Sequence, residues 1–100
     1  MKTIYSNRIE LNNWEIIGIQ AFLTENYEVN DFIYSDNTIH LDLEEKRFGI
    51  YKTGSEDLYI TLFLDNEPNK NYRLNLGDNT FHQLDEEFNF ITEVENIFNI

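Results

Sequence analysis

No cysteine occurs in the 100 residues of this chain. Disulfides and thiolate metal sites are therefore excluded, and stability has to come from packing. Proline occurs once, at Pro68, and the four glycines never cluster, so neither a flexible linker nor a phosphate-cradling loop can be placed. Only three serines are present, Ser6, Ser35 and Ser55, none of them in a glycine-flanked nucleophile elbow. Long apolar runs are missing too: "MKTIYSNRIELNNWEIIGIQAFL" is interrupted by Glu15 and Gln20, and no signal or membrane helix is expected. The scarcest property is positive charge. Seven bases face 19 acids, a formal charge of −12, and no Lys or Arg follows Arg73. A surface of that sign repels nucleic acid and anionic membranes and attracts basic proteins.

What is present is enough for a core. Hydrophobic residues make up 41% of the chain and aromatics 15%, so disorder is not expected. The length suits a single compact domain over 1–100. The richness in Asn, Ile, Tyr and Phe over Ala, Gly and Pro fits an AT-rich coding genome, such as that of low-GC bacteria or their phages. With no cysteine, the expected location is the cytoplasm of a bacterial host.

The middle of the chain reads as strands. "KTIYS" is a candidate opening strand, and "DFIYS" leads to a turn at "SDN". "TIHLDLE" alternates, with Ile39, Leu41 and Leu43 on one face and His40, Asp42 and Glu44 on the other. "RFGIYKT" follows, then "LYITLFLD", where Leu58, Ile60, Leu62 and Leu64 share a face opposite Tyr59, Thr61 and Phe63. "NEPNKN" reads as a turn, and "YRLNL" points Tyr72, Leu74 and Leu76 inward. Such short connections predict an antiparallel meander of four or five strands.

A helix is expected on either side of it. The first runs from an Asn12 or Asn13 cap, with Glu15 in its first turn. Its two apolar stripes, Trp14, Ile17 and Ala21 against Ile16, Ile19, Phe22 and Leu23, predict burial on both sides. The second has Thr80 and Gln83 at capping-box spacing and a stripe of Phe81, Leu84, Phe88, Ile91, Val94 and Phe98. One feature strains against it: Glu93 and Glu95 fall near the C-terminus, where each exposed acid costs about 0.3–1 kcal/mol against the backbone dipole. The predicted architecture is a two-layer α+β domain with both helices on the aliphatic sheet face. The other face would be wet, with Tyr51, Tyr59 and Phe63 among polar residues.

Chemistry is thin. His82 with Glu86, and His40 with Asp42, are too sparse for a zinc site. Asp65, Glu67 and Asn69 alternate as in a calcium loop, but Lys70 stands where the loop needs Gly and Leu76 where it needs Glu. With 19 acids, carboxylate pairs are inevitable and identify no acid–base site. No cofactor and no enzymatic activity are expected.

In size, acidity and lack of catalytic motifs the chain resembles the small acidic proteins by which phages block bacterial defence nucleases, anti-CRISPR and anti-restriction proteins among them. It also resembles some bacterial toxin-immunity proteins. The first resemblance implies a non-enzymatic inhibitor that occupies the basic channel of a nuclease or other nucleic-acid-binding protein. The second implies an antitoxin capping a basic toxin; a small enzyme or metal protein is the third class. Carboxylates at i, i+2 on a strand lie about 6–7 Å apart and at i, i+4 on a helix about 6 Å, spacings that resemble successive phosphates. The candidate contact residues are Asp42, Glu44, Tyr51, Tyr59, Phe63, Asp85, Glu86, Phe90, Glu93 and Ile97. Within the expected C-terminal helix, Glu86 and Glu93 run i, i+7 beside Phe90 and Ile97. A basic protein is the expected partner, with no direct nucleic-acid or membrane binding and a homodimer possible.

Overall fold

The computed structural model describes residues 7–54, 57–78 and 80–98; the candidate strand at 2–6 lies outside them. One helix, α1 (Asn13–Tyr27), precedes seven strands: β1 (Ile33–Ser35), β2 (Thr38–Leu43), β3 (Lys46–Lys52), β4 (Leu58–Leu64), β5 (Glu67–Asn75), β6 (Thr80–Leu84) and β7 (Phe90–Val94). They form one antiparallel sheet in chain order, β1 to β7. The meander is as expected, but the strand number and the second helix are not. Where a C-terminal helix was predicted, the chain makes the β6–β7 hairpin.

The reason lies in "DEEFN". Asp85 Oδ1 accepts the backbone N–H groups of Glu87 and Asn89, both at 2.9 Å. The Phe88 N–H donates to the Asp85 carbonyl, and Phe88 takes a left-handed φ of 63°. An aspartate that bonds its own following backbone offers a turn in place of a helical turn. The flanking "TFHQL" and "FITEV" are rich in β-branched and aromatic residues, which fit a pleated surface. The supposed helical stripe is then dealt to different places. Phe81 and Val94 face α1, Leu84 and Phe88 pack on the opposite face, and Ile91 is exposed. With no helix there, the dipole penalty on Glu93 and Glu95 vanishes.

The helix that does form is closed at both ends. Asn12 Oδ1 accepts from the Glu15 N–H and Glu15 Oε1 accepts from the Asn12 N–H, each at 2.9 Å, a complete capping box. Glu28, at a left-handed φ of 58°, ends α1 by donating its N–H to the carbonyls of Leu23 and Thr24, and Val29 N–H also reaches the Leu23 carbonyl. Only one stripe is buried. Ile19, Phe22 and Leu23 pack on the sheet, whereas Trp14 is 83% exposed and Ile17 57%, so the expected two-sided burial does not occur.

The core between α1 and the sheet comes from the predicted aliphatic alternation: Ile39, Leu41, Phe48, Ile50, Ile60, Leu62, Tyr72, Leu74 and Phe81. Each such side chain contributes about 1.5–3 kcal/mol. The last turns of the chain return to this layer, where Phe98 meets the rings of Tyr27, Phe48 and Phe81. The segment read as the "NEPNKN" turn shrinks to Asp65 and Asn66, both at positive φ, which suits a two-residue hairpin. Glu67–Asn71 belong to β5, and Pro68 pairs with Phe63 beside the register shift between Leu62 and Phe63, a bulge being where a strand tolerates proline.

The outer sheet face is wet only in part: Asp42, Arg47 and Glu93 are exposed there, but its centre is covered. Tyr51 is 0% exposed, and Tyr59, Leu84 and Thr61 are buried with it. Tyr51 stacks on Tyr59 at 6.1 Å, and Phe88 from the β6–β7 loop meets Tyr59 edge-on. Beneath them the Tyr51 hydroxyl bonds Thr61 Oγ1 at 2.8 Å, and Thr61 Oγ1 donates to Asn71 Oδ1 at 2.9 Å. These bonds satisfy polar groups that burial would otherwise penalise.

Candidate functional site

A meander in chain order alternates its turns between two ends of the sheet. One end receives the β2–β3 turn (Glu44, Glu45), the β4–β5 turn (Asp65, Asn66) and, three registers lower, the β6–β7 loop (Asp85 to Asn89). Each of these tips is acidic. Asp42 and Glu67 flank them on their strands. The end of α1 brings Glu28 to the same side, where it shares a hollow with Leu43, Glu44 and Lys46. Between the first two tips lies an open cleft of about 350 Å³ lined by Asp42, Glu44, Glu45, Lys46, Arg47, Phe63, Asp65 and Asn66. Neighbouring strands lie about 4.8 Å apart, so the first two tips, which are level in register, stand about 10 Å apart.

Most of these carboxylates are not engaged inside the protein. Those of Glu44, Glu45, Asp65, Glu67 and Glu86 make no hydrogen bond or ion pair among the described residues. Asp42 is an exception. It takes the Arg47 Nε–H at 2.8 Å, and that bond, aided by the nearby charges of Arg47 and His40 and only partly opposed by burial, holds its carboxyl below the usual range. Asp85, committed to its own loop, and Glu87 are also engaged. Glu44 carries a further mark: it holds a left-handed φ of 59°, a conformation that Gly or Asn adopts at less cost.

The other end treats its acids differently. Asp36, in the β1–β2 turn, pairs with Arg8. Glu15 takes the Lys52 ammonium at 2.8 Å, with side chains only 25% and 11% exposed. Burial by itself would raise the Glu15 pKa; the Lys52 and Asn12 hydrogen bonds and the Lys52 charge outweigh it and the net shift is downward. Asp78 accepts from Asn75 Nδ2, and Asp57 from the Tyr59 hydroxyl.

Across the outer face, register aligns Tyr51, Tyr59, Arg73, His82 and Glu93 in one row from β3 to β7. The Arg73 guanidinium lies 5.9 Å from the Tyr59 ring centre, a cation–π distance. Its Nε and Thr80 Oγ1 are buried without hydrogen-bond partners among the described residues. Sequence reading missed this row, although the period of two, carried through "TFHQL" and "FITEV" as strands, places His82 and Glu93 opposite Arg73.

The candidate contact residues thus separate. Asp42, Glu44 and half-buried Phe63 meet at the cleft between the first two tips, and Asp85 and Glu86 lie in the third tip. Phe90 and Glu93 are exposed on β7, with Phe90 edge-on to the His82 ring at 5.0 Å. Tyr51 and Tyr59 are buried in the outer-face cluster. Ile97 is 0% exposed in the layer under α1, so the pairing of Phe90 with Ile97 on one helical side does not exist. Glu86 and Glu93 likewise form no row: one sits in the loop and the other along β7.

Among the described residues no group of three His, Asp or Glu is placed to hold a metal ion, and no helix is long and apolar enough to cross a membrane. Comparison with protein-family models, with curated proteins and with solved structures finds no match.

Proposed function

We propose that this chain is a non-enzymatic binding protein that inhibits a basic nucleic-acid-handling protein of a bacterial cell, as an anti-defence factor of a phage or mobile element would. The reading is carried by one observation: the hairpin tips at one end of the sheet are all acidic, and the carboxylates of Glu44, Glu45, Asp65 and Glu86 have no partner among the described residues. Clusters of unneutralised carboxylates on neighbouring tips suit a groove whose Lys and Arg otherwise hold phosphates. Phe63, in the cleft between two tips, supplies the apolar contact that charged rims need at their centre. The left-handed Glu44 supports the same reading, because backbone strain of this kind costs of order 1–3 kcal/mol and collects at functional positions.

The test is capture from a bacterial lysate with tagged protein, followed by competition. Nucleic acid should displace the captured protein, and affinity should fall steeply from about 50 to about 500 mM salt, because exposed ion pairs are screened. A partner without a nucleic-acid groove, or binding indifferent to salt, would remove the mimicry reading. Capture of a basic toxin would make the chain an immunity protein acting through the same tips.

A further inference from the structure

We propose that the open edge of β7 receives an extended basic segment of the partner as an eighth strand; this rests on the reading of the chain as a binder of basic proteins. The two edges of the sheet are unlike. β1 has three residues, too short to template another strand, and the Arg8–Asp36 pair closes its turn. β7 has five residues, four of them exposed. Among the described residues its only strand partner is β6, and the Glu93 carbonyl also accepts from the Thr92 hydroxyl at 3.4 Å. Proteins blunt such edges with charged side chains, Pro or a bulge. "FITEV" has no Lys and no Pro; its one charge is Glu93, a bulge at Ile91 interrupts its pairing with β6, and it presents Phe90, 59% exposed, and Ile91, 52% exposed.

The flanking charge selects the occupant. Asp85, Glu86 and Glu87 lie at the start of β7, Glu93 within it and Glu95 just past its end, and no base follows Arg73. A second copy is the obvious strand for an open edge, but it is disfavoured here. Antiparallel self-pairing centred on Thr92 sets the two Glu93 carboxylates diagonally on one side, about 7–8 Å apart. It also adjoins two chains of −12 each. A segment with a base and an apolar residue two positions apart on one face has neither problem. Its backbone completes the ladder, its apolar side chain covers Phe90, two rungs from Glu93, and its bases meet Glu93 and the acidic loop.

The test uses the isotopically labelled 1–100 chain and two octapeptides of equal charge, (Lys-Lys-Val-Val)2 and (Lys-Lys-Pro-Pro)2, followed by amide NMR. (Lys-Lys-Val-Val)2 should shift and slow the exchange of the 90–94 amides. (Lys-Lys-Pro-Pro)2, which lacks N–H donors on both edges of an extended strand, should bind at least about tenfold more weakly, as should (Lys-Lys-Val-Val)2 to the Ile91→Lys variant. Equal binding of the two peptides, or perturbation confined to Glu44, Glu45 and Asp65 with Ile91→Lys silent, overturns the edge and leaves the proposed function standing. No perturbation by either peptide overturns both. A dimer in sedimentation that Ile91→Lys dissolves would make a second copy the occupant and overturn the proposal.

Discussion

The two ends of this sheet are built from the same residue types and use them differently. At the end holding the β1–β2 and β5–β6 turns, carboxylates are tied inward: Asp36 to Arg8, Glu15 to Lys52, Asp78 to Asn75. At the opposite end, Glu44, Glu45, Asp65, Glu67 and Glu86 point their charge at solvent with no partner among the described residues. Acids of the first kind maintain the fold, and acids of the second kind repel one another within it. A charge that contributes nothing to folding is available for binding.

Substitution should separate the ends by their effect on stability. Lys52→Met leaves the part-buried Glu15 carboxylate without its cation and should cost about 2–3 kcal/mol in urea unfolding. Asn12→Ala, which removes the other half of the Glu15 arrangement, should cost about 1 kcal/mol. Glu44→Asn should do the reverse, raising stability by about 0.5–1 kcal/mol because Asn accepts the left-handed backbone, while weakening partner binding. Loss of stability in Glu44→Asn would mean that the glutamate is structural after all.

Acid titration sharpens the same contrast. The folded protein holds Glu15 below its ordinary pKa of 4.5, so it favours the ionised form. The resulting stabilisation is present above that value and is lost as pH falls through the lowered one. Denaturant midpoints measured downward from about pH 4.5 should fall in the wild type and fall less in Lys52→Met, where the downward pull of Lys52 is gone. Asp42 has the same sign but is mostly exposed, and its contribution should be small.

The sequence made the sheet readable and the ends unreadable. Alternation in "TIHLDLE" and "LYITLFLD" placed Ile39, Leu41, Ile60 and Leu62 on the correct face, because a period of two admits only one assignment. The C-terminal third failed because Phe81, Leu84, Phe88, Ile91, Val94 and Phe98 fit a helical stripe as well as two short strands, and Asp85 chose the turn through bonds that no periodicity encodes. The misplaced Glu93 and Glu95 were the signal against the helix. Burial of Tyr51 and Tyr59 was hidden because it depends on the Phe88 loop folding over them. The acidic end was visible as composition but not as a place, since strand order alone decides which turns gather.

The central claim is that partner binding runs through the tips and not through acidity as such. The direct test compares two variants that lose equal charge: Glu44→Gln/Glu45→Gln/Asp65→Asn at the tips and Asp36→Asn/Asp57→Asn/Asp78→Asn at the other end. Both are measured for affinity to the captured partner after folding is checked. The tip variant should lose at least about tenfold in affinity, roughly 1.4 kcal/mol, and the other should stay within about threefold of wild type. Equal losses in the two variants would contradict the account, reducing the acidic end to a share of the net charge.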